Sequence, residues 1–170
     1  MNDKETNVFR VHIRGSIEQV WREITKTDEA QQAMFNSVMH TRELKPGAPF
    51  RMRTVDGKYT NVVGEILEVD PPHRFAHTMR FTNYDDPPCR ITYDLKPVTD
   101  GVEFTLTIDD LPHGTKSAKQ LLSGGKFIAS TLKAIVENGR PGLGVRLLYQ
   151  LFKVLAIFAP AKTRSENWPL

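Results

Sequence analysis

The first clear pattern along the chain is alternation: Phe9, Val11 and Ile13 are apolar, and Arg10, His12 and Arg14 are polar or charged. A period of two sends the apolar set to one face of a strand, so a half-buried β-strand is predicted. After Gly15 the period changes. Ile17, Val20, Trp21 and Ile24 follow helical spacing behind Ser16, whose hydroxyl can cap the first turn, and a second short helix is expected from Asp28 to about Phe35. From Val38 onward the chain reads as strands punctuated by Lys45-Pro46-Gly47, Asp56-Gly57, Asp70-Pro71-Pro72, Asp86-Pro87-Pro88 and Asp100-Gly101. Alternation is cleanest late. Phe75, His77, Met79 and Phe81 share one parity, as do Ile91, Tyr93 and Leu95, then Phe104, Leu106 and Ile108, with Arg90, Thr92, Asp94, Glu103, Thr105 and Thr107 on the other. An antiparallel meander with one wet and one covered face is the expectation.

The cover is a helix. Ile128, Leu132, Ile135 and Val136 recur at i, i+4, i+7 and i+8 between Ser123, which can start it, and Gly139, which can end it. Gly124 and Gly125 would each cost about 1 kcal/mol in a helix interior, so they are expected in the first turn, after a separate short segment near Lys116 to Leu122. The run from Gly139 to Gly144 breaks the chain before a final apolar helix. The fold class is therefore α+β: a curved antiparallel sheet of about six or seven strands wrapped on a long helix, with two short helices after strand one. Residues 1–139 are read as the domain and 140–170 as a helical extension, packed on it or at a dimer interface.

Composition narrows the function classes. A single domain suits 170 residues, and 23 Lys plus Arg against 20 Asp plus Glu form no block of like sign, so nucleic acid is not an expected partner. Cys89 is the only cysteine, which excludes an internal disulfide and suits a reducing cytoplasm. Residues 1–6 have no apolar stretch of the secretory type. The stretch from Leu143 to Ala159 is shorter than the roughly 20 residues of a membrane span and carries Arg146 and Lys153, so no stable insertion is expected.

The order of strand, two short helices, meander and long helix resembles the START-like helix-grip arrangement, also called the SRPBCC or Bet v 1-like superfamily. Within it the wording resembles homologues of the activator of the 90-kilodalton heat-shock protein ATPase, which include polyketide-cyclase-like members. Four phrases over roughly residues 8 to 139 carry the resemblance. They are Ser16-Ile17-Glu18-Gln19-Val20-Trp21, Leu44-Lys45-Pro46-Gly47-Ala48-Pro49-Phe50, Gly64-Glu65-Ile66-Leu67-Glu68-Val69-Asp70-Pro71-Pro72-His73-Arg74, and Gly124-Gly125 ahead of Leu132-Lys133. The superfamily hosts lipid carriers, cyclases and cochaperone domains, so fold does not decide function.

Candidate chemistry follows from parity. His77 and Tyr93 are the polar members of otherwise apolar series, so each needs a partner once buried: one another, backbone, water or a ligand. Phe75, Met79, Phe81 and Phe104, with Phe50 on the sheet and Ile128 and Leu132 on the helix, form the apolar wall of a cavity. His73 and His77 stand about 13 Å apart along a strand, too far to share a metal ion, and no cofactor is expected. Neither a phosphate loop nor a G-x-S-x-G elbow is present. Three readings remain. One is a cytoplasmic binder of a hydrophobic small molecule, lipid, aromatic or polyketide-like. The second is a cyclase, isomerase or hydrolase using the same cavity. The third is an interaction module like the chaperone activator, using the sheet exterior near Arg51 and Arg53. The final helix, apolar apart from Arg146, Gln150 and Lys153, is expected to bury its surface on its own domain, in a homodimer through residues 143–159, as a cavity lid or at a membrane interface.

Overall fold

In a computed structural model, residues 6–170 are described; the polar stretch 1–5 lies outside them. Strand β1 (Asn7–Ile13) is followed by helix α1 (Ile17–Thr25). Ser16 caps α1 in a reciprocal box: its hydroxyl accepts from the Gln19 amide at 3.2 Å, and the Gln19 side chain accepts from the Ser16 amide at 2.9 Å. Strands β2 (Ala30–Gln31), β3 (Ser37–Thr41), β4 (Pro49–Arg53), β5 (Thr60–Asp70), β6 (Arg74–Phe81), β7 (Cys89–Val98) and β8 (Gly101–Asp109) come next. Helices α2 (Lys116–Asn138) and α3 (Leu143–Leu155) follow. The strands form one antiparallel sheet in the order β1-β8-β7-β6-β5-β4-β3-β2. Register shifts in β4 after Met52 and in β5 after Ile66 are the irregularities that bend a sheet into a half-barrel.

The alternation is realised directly in β8, where Val102, Phe104, Leu106 and Ile108 are buried and the residues between them are not. The first strand pairs with the last, Asn7 opposite Ile108 and Ile13 opposite Val102, which joins the two ends of the chain's sheet-forming region. Helices α1 and α2 cover β1, β7 and β8, and that packing holds the main core.

Three expectations are corrected. The sheet has eight strands, one or two more than expected. No second helix forms between Asp28 and Phe35: Ala30 and Gln31 pair with Val38 and Ser37, and Phe35 and Asn36 turn the chain with φ of +55° and +57°, a left-handed conformation that ends any helix. The spacing of Ala30, Ala33 and Met34 suits a helix face, but a tight turn buries Ala33 and Met34 equally well.

The long helix starts at Lys116, capped by the Thr115 hydroxyl, and not at Ser123. Gly124 and Gly125 lie in its middle, and at Gly125 a ring occupies the space a side chain would take. A Cβ on Gly125 would sit 2.4 Å from the Phe9 ring, so the helix meets β1 there backbone to ring. The helix ends at Gly139 as expected. Of the open possibilities for α3, the domain itself takes up only a small part of its apolar surface. Only its Tyr149 edge is covered, and Leu143, Leu147, Leu151 and Val154 face outward.

Candidate functional site

Between the concave sheet, the first half of α2 and the inner edge of α3 lies a cavity of about 930 Å³. Its floor is built by parity: Phe75, His77, Met79 and Phe81 from β6, Ile91 and Tyr93 from β7, Leu106 and Ile108 from β8, and Phe50 and Met52 from β4. Ile128 of α2 faces them, and Phe127 closes the roof with Phe35, the two rings stacked at 4.5 Å. Tyr149 and Phe152 of α3 form the remaining wall; the Tyr149 hydroxyl donates to the Gln32 carbonyl, which pins α3 to the turn after β2.

Seven of the nine residues singled out from the sequence line this space together: His77, Tyr93, Phe75, Met79, Phe81, Phe50 and Ile128. Phe104 and Leu132 do not. Both are fully buried in the core beside the cavity, Phe104 with its ring stacked 5.9 Å from Tyr93. Parity identified the correct face for Phe104 and helical spacing the correct face for Leu132. Neither signal reports where along a covered face the packing closes. Met34 and Met39, Phe35 and Tyr149 line the cavity without having been anticipated, since the first three stand in or beside the segment that reads as a helix and the last in an extension of undetermined packing.

The polar pair is arranged asymmetrically. His77 Nδ1 lies 2.9 Å from the Thr78 carbonyl. A carbonyl oxygen only accepts, so Nδ1 carries the proton and donates, which leaves Nε2 of the neutral ring as a lone-pair acceptor. Among the described residues no protein group hydrogen-bonds Nε2. Phe50, Phe75 and Tyr93 surround the ring at centroid distances of 4.9, 5.4 and 5.7 Å. This desolvation lowers the His77 pKa to about 4, against the opposing pull of the Thr78 bond, so the ring is neutral at pH 7. The Tyr93 hydroxyl reaches only the Met34 sulfur, at 3.9 Å, a weak acceptor. Burial raises its pKa, so the phenol keeps its proton. His77 and Tyr93 therefore do not bond to one another, and the cavity presents one free acceptor and one weakly engaged hydroxyl on an apolar floor.

Cys89 is buried and its thiol is pushed up to about 12, chiefly by desolvation, so it is not a thiolate at neutral pH. On the outer face of the sheet, Arg51 and Arg53 donate to the carbonyls of Pro169 and Trp168, each at 3.0 Å, and Arg80 stands 5.4 Å over the Trp168 ring. The chain's last residues thus cover the strands on which those arginines stand.

Comparison with known proteins agrees with this architecture. The model of the Activator of Hsp90 ATPase homolog 1-like protein family matches residues 14–137. Among solved structures, ChR145 from Cytophaga hutchinsonii superposes with a TM-score of 0.64 at 22% identity, covering 82% of this chain and 98% of that one. CalU16 from Micromonospora echinospora gives 0.60 at 18%, covering 91% and 89%. PFC0360w, an HSP90 activator from Plasmodium falciparum, gives 0.60 at 17%, covering 80% and 97%. At these identities the likeness is one of fold. None of the curated proteins matches the chain in sequence. With its helix-grip architecture and a family match over most of its length, the chain belongs to the Activator of Hsp90 ATPase homolog 1-like family of the START-like superfamily.

Proposed function

We propose that this protein binds an apolar small molecule, a lipid, aromatic or polyketide-like compound, in the cavity between sheet, α2 and α3. The observation that carries the reading is the cavity itself: about 930 Å³, floored by aromatic and Met side chains, with His77 Nε2 and the Tyr93 hydroxyl among its buried polar groups. Sites that enclose drug-sized ligands run from roughly 300 to 1,000 Å³, mostly apolar with few polar groups that fix orientation. Burial against such a wall is worth roughly 25 cal/mol per Å² of apolar surface, and the His77 acceptor selects a ligand with an O–H or N–H at that end. Proton transfer fits less well. A histidine with a pKa near 4 is a weak base at pH 7, and a tyrosine with a raised pKa is a weak acid, so both are suited to holding a hydrogen bond.

Native mass spectrometry of gently purified protein, with denaturing extraction of the same sample, tests the reading directly. A retained apolar compound, competed out by the fluorophore 1-anilinonaphthalene-8-sulfonate, is the expected result. His77→Leu should retain the fluorophore and weaken a hydroxyl-bearing compound by about tenfold, the usual cost of one buried hydrogen bond. An empty protein that takes up no fluorophore and is not stabilised by lipids or aromatics would sink the proposal.

A further inference from the structure

The outward side of α3 is a continuous apolar ridge that the domain leaves in water. Leu143, Leu147, Leu151 and Val154 stand at i, i+4, i+8 and i+11, each at least half exposed, and the turn that follows adds Ile157 and Phe158 at 73% and 76% exposure. Ridges of this extent on a soluble domain mark a contact surface. The opposite edge of the helix is already used, through Tyr149 against Phe127.

Charge says what the ridge meets. From Asn138 to Ser165 the sequence carries Arg140, Arg146, Lys153, Lys162 and Arg164 and not one Asp or Glu. Arg146 and Lys153 stand on the flank between the ridge and the buried edge, both exposed, with Lys153 also bordering the cavity, and neither is in an ion pair among the described residues. Lys162 and Arg164 hold only exposed pairs, at 3.7 Å to Asp85 and 3.8 Å to Glu166. A second copy meeting this face about a two-fold axis would oppose Arg146 and Lys153 with the same cations and offer no carboxylate from the helix. An anionic lipid surface supplies both needs at once, hydrocarbon for the ridge and phosphate for its flank.

We propose that α3 and the turn after it dock this protein peripherally on an anionic lipid surface, with the ridge in the acyl boundary and Arg146 and Lys153 at the headgroups. The helix lies along the interface and does not cross it, since no single described helix is long and apolar enough to span a bilayer. The inner edge of the same helix, at Tyr149, Phe152 and Leu155, lines the cavity, so docking sets one cavity wall against the lipid. The docking rests on the ridge alone and does not require the cavity to hold a ligand.

Flotation of the full chain with vesicles tests this, using phosphatidylcholine alone and an equal mixture with phosphatidylglycerol. Recovery with the anionic vesicles, weakened by high salt and largely absent with phosphatidylcholine alone, is expected. Leu147→Ser with Leu151→Ser should lower partitioning at least tenfold, and Arg146→Gln with Lys153→Gln about tenfold or more, at roughly fivefold per cation near the surface. Unchanged thermal midpoints in both double variants exclude unfolding as the cause. Failure to float with either vesicle, or equal recovery of the leucine variant, overturns the proposal. So does a solution dimer, seen by light scattering, that the leucine changes dissociate, because the ridge then belongs to a second copy.

Discussion

Strands β6 and β8 carry the same alternation and lie one strand apart, yet they end in different surroundings. The inward residues of β8, Val102, Phe104, Leu106 and Ile108, are all at 1% exposure or less, although Leu106 and Ile108 border the deep end of the cavity. Along β6 the series opens progressively: Phe75 is sealed, His77 nearly so, and Met79 and Phe81 are half-buried toward the cavity. The difference comes from what stands opposite. Helices α1 and α2 pack on β1, β7 and β8, whereas β6 faces the turn after β2, the first half of α2 and α3 across open space. Binary pattern sets which face a side chain joins. Whether that face is a solid core or a cavity wall depends on how closely the covering layer approaches.

Truncation on the two strands should separate them most sharply. Phe104→Ala removes a fully buried ring from a closed core and is expected to cost about 3 to 5 kcal/mol in urea unfolding. Met79→Ala, on a wall that already borders empty volume, should cost about 1 kcal/mol and change ligand affinity instead. Equal losses at both positions would mean the cavity is closed in solution.

The next effect is electrostatic and belongs to β6 alone. His77 has a pKa near 4 in the fold and about 6.5 in an unfolded chain. The unfolded state therefore binds the extra proton first as pH falls. Stability is whole above pH 6.5, declines between 6.5 and 4, and by pH 4 has lost about 3 kcal/mol through this group. Unfolding free energies measured across that window should show the slope in the wild type and lose most of it in His77→Leu.

Smaller effects distinguish the two glycines of the helix that covers both strands. Gly125→Ala drives a methyl into the Phe9 ring and should destabilise by about 1 to 3 kcal/mol. Gly124→Ala meets Phe35 at an ordinary 3.6 Å and should be neutral or stabilise by up to about 1 kcal/mol through helix propensity. Calorimetric midpoints moving in opposite directions would confirm that packing against β1, and not chain flexibility, keeps Gly125. Smallest of all, Leu147→Ser on the exposed ridge should change stability by less than about 0.5 kcal/mol, in contrast to its effect on vesicle binding.

Much of this molecule is legible in its residues. The strands of the meander, the Ser16 cap, the Gly139 stop and seven of the cavity's lining side chains follow from period and turn chemistry, which are local properties. The segment from Asp28 to Phe35 misleads because the same apolar spacing suits a helix face or a tight turn, and only pairing with β3 distinguishes them. Gly124 and Gly125 mislead because propensity counts their cost and cannot see the Phe9 ring, more than a hundred residues earlier, that requires one of them.

The sequence by itself determined the class of elements, their order, the face each side chain joins and the family. Tertiary structure alone decided the distances between layers: that Phe104 and Leu132 are sealed between sheet and helices, that a space of about 930 Å³ remains above His77 and Tyr93, and that α3 turns Leu143, Leu147 and Leu151 outward. The physical reason is one of range. Periodicity and capping act within a turn or two of chain, while the separation of a helix from a sheet is the sum of many side-chain volumes brought together from across the whole of it.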